Sequence, residues 1–396
     1  MRPRLPSAAV LLTLVACQSA PAEATADASG VVTWAASADR MGDGIAGRGY
    51  RLVVHTSTGG SDLRIRLSNA FGDRPMTFDS VYAGVQKQGA ELRPGSNRRL
   101  AFGGARTVTV PAGGTVWSDP LPGRLPAETD LVVSLHSPDA GGPASGHWMA
   151  MQTSYATQGD HTAEESGAAW TIPTSSWFYL DAVSVRAPAG TEAVVALGDS
   201  ITDGWASTSD LNRRWPDYLA RRLRKADTAV KGVANEGIAG NKVLADGPGQ
   251  SALNRLERDA LSLPGVRTVF LFQGVNDIKA HTGVTAEDLI EGYRELADRA
   301  HAAGKCVAVA TVGPFKGWHE WDPAAEAVRQ EVNAFLRTSG EFDAVTDFDR
   351  ILRSPYDQER MLPALDGGDH IHPNDKGMQA MADAVDLSTL DCDATG

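Results

Sequence analysis

The segment Gly198-Asp199-Ser200-Ile201-Thr202 sets a serine hydroxyl directly after the apolar run Val194-Val195-Ala196-Leu197. Small and β-branched apolar residues closed by a glycine predict a strand buried on both faces. A parallel sheet opens its ligand crevice at the carboxyl ends of such strands, so Ser200 is expected at the crevice lip. A serine becomes a nucleophile only with a base to take its proton, a group that orients the base and donors for the oxyanion. Asp369-His370-Ile371-His372-Pro373-Asn374 offers the first two, with a carboxylate three positions before an imidazole, close enough to meet within one turn. Asp369 would hold the proton on His372 Nδ1 and leave Nε2 to face Ser200. Two further segments could donate to an oxyanion. Asn235-Glu236-Gly237-Ile238-Ala239-Gly240-Asn241 follows the apolar stretch from Val230 to Ala234, and a glycine there lets a backbone N–H come close. Gly274-Val275-Asn276-Asp277 ends the predicted strand Thr268-Val269-Phe270-Leu271-Phe272, where Asn276 can aim its amide at developing charge. Such a donor is worth about 3 kcal/mol in other enzymes.

Each residue also has a plainer reading. A serine at a strand end caps helices and turns as readily as it reacts, and Asn276 and Gly240 could be turn formers. Asp369, His370 and His372 could belong to a metal site, but no further ligands stand at a recognisable spacing, and the expectation is no metal and no cofactor. Asp199 and Asp277 are expected to brace loops by hydrogen bonds.

The four segments, in this order, resemble the blocks of the SGNH (GDSL-type) hydrolase family, over roughly the C-terminal half of the chain. The first block reads Gly-Asp-Ser-Ile and lacks the leucine of the older name. The resemblance implies that Ser200 is the nucleophile and that Asp369 and His372 complete a triad. It also implies an oxyanion hole made by the backbone N–H of Ser200, Gly240 and Asn276, and a flavodoxin-like three-layer α/β/α domain.

The elements that must carry these residues are legible as alternating patterns. Helical spacing runs over Arg214 to Lys225, Ala286 to Ala303, Pro323 to Thr338 and Asp375 to Val385, between apolar runs at Val194, Thr268, Val307 and Ala344 that read as strands. This alternation predicts a parallel sheet covered on both faces, with the hydrolase domain spanning 190–396. Residues 31–189 read differently. Short alternating runs such as Tyr50 to Val54, Leu63 to Leu67, Thr107 to Val110 and Leu131 to Leu135 lie between Gly, Pro, Asn and Asp turns. They predict an all-β accessory domain, a sandwich of the jelly-roll sort, ending at Ala187-Pro188-Ala189-Gly190. Of its tryptophans, Trp34, Trp117, Trp148, Trp170 and Trp177, one or two are expected at the surface, where a ring could stack on a sugar face. Trp205, Trp318 and Trp321 are the candidates for the substrate rim, with cover of the core edge as the alternative.

The 396 residues can bury more than one core, and 37 Lys+Arg against 49 Asp+Glu give a net charge of −12, which repels phosphate backbones and argues against nucleic acid as a partner. At the N-terminus, Arg2 and Arg4 precede a short apolar stretch from Ala8 to Ala16, and Leu14-Val15-Ala16-Cys17 resembles a bacterial lipobox. That match implies processing within 1–17 and lipidation of Cys17, so that the only membrane contact is an N-terminal lipid anchor at the outer membrane or cell surface. Cleavage at Ala22-Glu23-Ala24 would instead release a soluble secreted protein. Residues 18–30 read as a flexible tether. In an oxidising compartment Cys306 and Cys392 could form a disulfide, although Cys306 opens an apolar run and reads equally as a buried thiol.

The expected function is hydrolysis of an ester through an acyl-enzyme, with an acetylated or short-acylated glycan as substrate. Small esters or lipids are the alternative substrates, and the rival of another class is a non-catalytic glycan-binding lipoprotein. A glycoside hydrolase would want two carboxylates flanking the scissile bond, which these segments do not offer as their common element.

Overall fold

The structure, a computed structural model, describes residues 30–392. Cys17, the signal segment and the tether up to residue 29 lie outside the described residues.

Five strands in the C-terminal part form one parallel sheet, in the spatial order Val230–Gly237, Glu192–Gly198, Val266–Phe272, Cys306–Ala310, Ala344–Thr346. The chain thus runs 2-1-3-4-5, the flavodoxin-like order, with its switch point beside the strand that ends at Gly198. Successive side chains of a strand face opposite sides. Val195 and Leu197 therefore enter a core with Leu256, Leu289, Tyr293, Val332 and Leu336, while Val194 and Ala196 enter a second core with Trp215, Leu219, Phe348 and Met378. Helices Ala252–Leu256, Ala286–Ala302 and Pro323–Thr338 cover the first face, and helices Trp215–Lys225, Phe348–Leu352 and Asp375–Ala384 the second. The result is the three-layer α/β/α arrangement expected from the alternating pattern.

Helix ends follow local chemistry. Thr285 and Asp288 form a capping box, and the side chains of Asp322 and Asn374 cap the next two long helices. Arg214, expected inside its helix, is instead the capping residue before Trp215 and Pro216, where the missing N–H of proline does no harm.

The N-terminal region is built of antiparallel strands. One sheet joins Gly30–Ala35, Leu180–Arg186, Gly60–Ser68, Thr115–Trp117 and Leu121–Leu125, and a larger one is centred on Arg48–His55, Asp130–Ser137 and Ser80–Gln88. Their inner faces share one core that includes Leu52, Val54, Ile65, Leu67, Val133, Leu135 and Val183. Trp34, Trp117, Trp170 and Trp177 are buried, whereas Trp148 is 58% exposed.

The two regions are joined closely. Val230–Gly237 is an edge strand, and an uncovered edge invites pairing with another chain. Here Gly30–Ala35 lies over it: Val31, Val32 and Ala35 enter the hydrolase core, the Val32 N–H donates to Pro264 O (2.9 Å), and the Val233 N–H donates to Ser57 Oγ (2.9 Å). At the start of the strand Cys306–Ala310, Cys306 is joined to Cys392 by a disulfide with Cα atoms 5.8 Å apart, so Cys306 is not the buried free thiol that its apolar run also allowed. Among the described residues no helix is long and apolar enough to cross a membrane.

Candidate active site

Ser200 opens a short helix, Ser200–Asp203, immediately after the strand Glu192–Gly198. Asp199 caps that helix by accepting the Ile201 N–H (3.0 Å). The turn is tight enough that a Cβ on Gly198 would lie 2.2 Å from Thr202 Oγ1 and 2.6 Å from Phe272 O, so only glycine fits there. Arg255, wholly buried, donates from Nη2 to the Gly198 carbonyl (2.8 Å), from Nη1 to the Glu236 carbonyl (2.7 Å) and from Nε to Asn241 Oδ1 (3.1 Å). One guanidinium thereby ties the nucleophile strand to the neighbouring loop.

The hydroxyl of Ser200 lies 2.8 Å from His372 Nε2, across 172 positions of sequence. His372 Nδ1 lies 2.6 Å from Asp369 Oδ2, and Asp369 Oδ1 accepts the backbone N–H of His372 (2.9 Å) and of Ile371 (3.2 Å). With Nδ1–H directed at a carboxylate, the lone pair sits on Nε2 and the serine O–H donates to it. Burial holds the His372 imidazole below its ordinary value of 6.5 despite the opposing pull of Asp369, so the ring is neutral and able to accept a proton at pH 7. Burial would raise the Asp369 carboxyl, but the bonds from His372 outweigh it and leave it below the usual 3.8. His370, between them, turns outward in a left-handed conformation (φ 72°) and pairs with Asp366 at 2.7 Å.

The two candidate donor segments meet beside this hydroxyl's strand end. Gly240 has φ 80°, the left-handed region that glycine enters at no steric cost. Asn276 lies in the short helix Val275–Lys279 at the end of the adjacent strand. One hydrogen of its Nδ2 is used on the Asn241 carbonyl (3.0 Å), which fixes the amide plane and leaves the second hydrogen uncommitted. Asn241 is itself anchored through Nδ2 to Pro248 O and Gln250 O, both at 2.8 Å. Asp277 accepts the N–H groups of Val243 (2.9 Å) and Leu244 (3.1 Å). Burial pushes Asp199 up to about 7, and the nearby Asp277 adds to the rise.

Of the three rim candidates, two flank the imidazole. The Trp205 ring centroid is 5.5 Å from that of His372, and Trp318 stands edge-on to it at 6.0 Å. Trp318 is held by a bond from its Nε1 to Glu320 (2.9 Å) and by Lys279 Nζ above the ring at 5.4 Å. Trp321, like Trp318, packs partly buried on the hydrolase core, with Lys316 Nζ 5.2 Å from its ring. Arg255 and the interface pair His147 and Asp203 (3.0 Å) carried no signal in spacing, since their partners are remote in sequence.

Residues 196–380 match the model of the GDSL-like Lipase/Acylhydrolase family. Similar solved structures include an aryl esterase from M. smegmatis (18% identity, 49% of this chain and 96% of that one, TM-score 0.41) and a GDSL-like lipase from Bacteroides thetaiotaomicron (18%, 50% and 87%, TM-score 0.40). A third is Est24, a carbohydrate acetylesterase from Sinorhizobium meliloti (18%, 48% and 95%, TM-score 0.39). No curated protein matches the chain. The C-terminal half thus holds a GDSL-like α/β hydrolase domain, matched over residues 196–380 and set behind an all-β region.

Proposed function

We propose that the protein is a serine esterase that removes acetyl or other short acyl groups from a carbohydrate. The observation behind this reading is the hydrogen-bonded series Ser200, His372, Asp369 flanked by the rings of Trp205 and Trp318. Ser200 Oγ attacks the ester carbonyl while His372 Nε2 takes its proton. The Ser200 N–H, the Gly240 N–H and Asn276 Nδ2 hold the oxyanion. The bond to the alcohol oxygen breaks as His372 returns the proton to it, and water then attacks the acyl-enzyme by the same route to release the acid. Aromatic faces beside the reacting atoms suit the apolar face of a sugar ring. Trp148 supplies a second exposed ring on the β domain, in a groove with Tyr50, Ile45 and Ile172. The site of action in this reading is the cell envelope, with Cys17 lipidated; Cys17→Ser should then release the protein from membrane fractions, and unchanged partitioning removes the anchor.

The test is acetate release from acetylated polysaccharides, run beside a chromogenic acetate ester, for wild type and Ser200→Ala. Wild type should act on both and the variant on neither. Equal rates in the two proteins defeat the serine mechanism, and cleavage of the small ester alone defeats the glycan assignment.

A further inference from the structure

Among the buried contacts that join the β domain to the candidate active site is an ion pair. His147, in the strand Pro143–His147, has its Nε2 at 3.0 Å from Asp203 Oδ1 and 3.2 Å from Met149 O, while its Nδ1 lies 3.0 Å from Ser37 O. Both ring nitrogens face only acceptors, so both must carry hydrogen, and the ring is an imidazolium. The side chains of His147 and Asp203 are 6% and 4% exposed. Burial works against the charge on His147, but the carboxylate of Asp203 outweighs it and raises the ring above its ordinary value.

Asp203 is the last residue of the helix that Ser200 begins, and its second oxygen, Oδ2, accepts the N–H of Ala239 (2.9 Å). Ala239 directly precedes Gly240. The same loop is clamped to the nucleophile helix by Asn235 Nδ2 on Thr202 O (2.7 Å) and by contact so close that a Cβ on Gly237 would fall 2.1 Å from the Asp203 N. The carboxylate therefore joins three things: the end of the nucleophile helix, the loop carrying Gly240, and a cation from the other domain. A carboxylate buried this deeply is strongly disfavoured without a counter-charge, and His147 supplies it.

We propose that His147 is a positioning residue for ester hydrolysis: the β domain lends an imidazolium that fixes Asp203, and Asp203 fixes the Ala239–Gly240 backbone against the nucleophile helix. This rests on the reading of Gly240 as an oxyanion donor. On it the β domain is a working part of the hydrolase as well as a neighbour of it. A donor displaced by a fraction of an ångström loses most in the transition state, where the oxyanion is tightest, and least in substrate binding.

The test uses the full chain, a chromogenic acetate ester and four variants: His147→Gln, Asp203→Asn, their double, and Ser200→Ala. Each of the two single interface variants should lower kcat by about tenfold or more while KM stays within about twofold, since removing such a donor outright costs on the order of a hundredfold or more. The double should be no slower than the slower single, because both break one link. Melting curves identify variants that have not folded, and if His147→Gln is one of them, Asp203→Asn carries the test from the hydrolase side. Wild-type kcat in a folded single variant, a change confined to KM, or fully additive losses in the double each overturn the proposal. An inactive Ser200→Ala beside a fully active His147→Gln removes this inference alone, whereas an active Ser200→Ala removes the serine reading on which it stands.

Discussion

Trp205 and His372 face one another with ring centroids 5.5 Å apart and planes inclined by 34°. The Trp205 N–H is bound to the Ser200 carbonyl (2.9 Å), so the indole is carried by the same turn as the hydroxyl, and it remains 48% exposed. A ring placed this way can hold a substrate face without touching the reacting bond. Trp205→Ala should raise KM for an acetylated oligosaccharide by about tenfold, or about 1.4 kcal/mol, with a smaller effect on kcat. Steady-state kinetics on a soluble oligosaccharide check this, and unchanged KM removes Trp205 from the rim.

Rate should follow the neutral form of His372. Because burial holds this imidazole below 6.5, kcat/KM should rise with pH through an apparent pKa under that value and then level off. A limb centred above 7 would contradict the environment described for the ring.

Asp369→Asn should lower kcat by orders of magnitude, because the amide no longer favours hydrogen on Nδ1 and the lone pair of Nε2 is no longer held toward Ser200. It also removes a group that raises the His372 pKa, so any residual activity should show its acid limb shifted to lower pH. A pH–rate profile of the variant reads both effects.

The interface holds a second ionised histidine. Burial opposes charge on His55, but Asp130 at 2.7 Å and Glu128 at 3.6 Å outweigh it and lift the ring from 6.5 to about 9. A raised folded-state value means the stabilisation is complete below about pH 6.5 and is lost as pH climbs through about 9. Asp130 is 42% exposed, so the effect is screened and should amount to on the order of 1 kcal/mol. Urea unfolding at several pH values should show wild type losing stability between pH 7 and about 9 more steeply than His55→Gln. Parallel curves would remove His55 as the source.

The disulfide closes a loop of 86 positions, between the first residue of a central strand and the C-terminal segment. It lies at the amino end of the sheet, whereas Ser200, Asn276 and His372 gather at the carboxyl end. Cys392→Ala should therefore cost roughly 2–5 kcal/mol of stability. Activity at 25 °C should be little changed. Thermal unfolding with and without reductant, paired with an ester assay, separates the two.

Much of this was legible in the chain because it is local. The strand ending at Gly198, the helix after it and the spacing of Asp369 to His372 are set by side-chain periodicity, turn chemistry and three-residue reach. The long helices at 286 and 323 declare themselves through caps and apolar spacing, and the alternating runs before 187 through their period of two. Where locality failed, expectation failed with it. Arg214 slipped from helix to cap because Pro216 needs a first-turn position.

The amino-acid sequence alone determined the kinds of element, the chemistry of the four segments and the glycines that permit their turns, since each depends on residues within a few positions of one another. Only the tertiary structure decided that the rings of Trp205 and Trp318 stand beside the His372 imidazole, that Cys306 is bonded to Cys392, and that His147 of one domain faces Asp203 of the other. These pairings join residues tens to hundreds of positions apart. They exist because burying apolar surface on both faces of the sheet and over its open edge leaves one arrangement in which the buried charges also find partners, and no spacing along the chain records that.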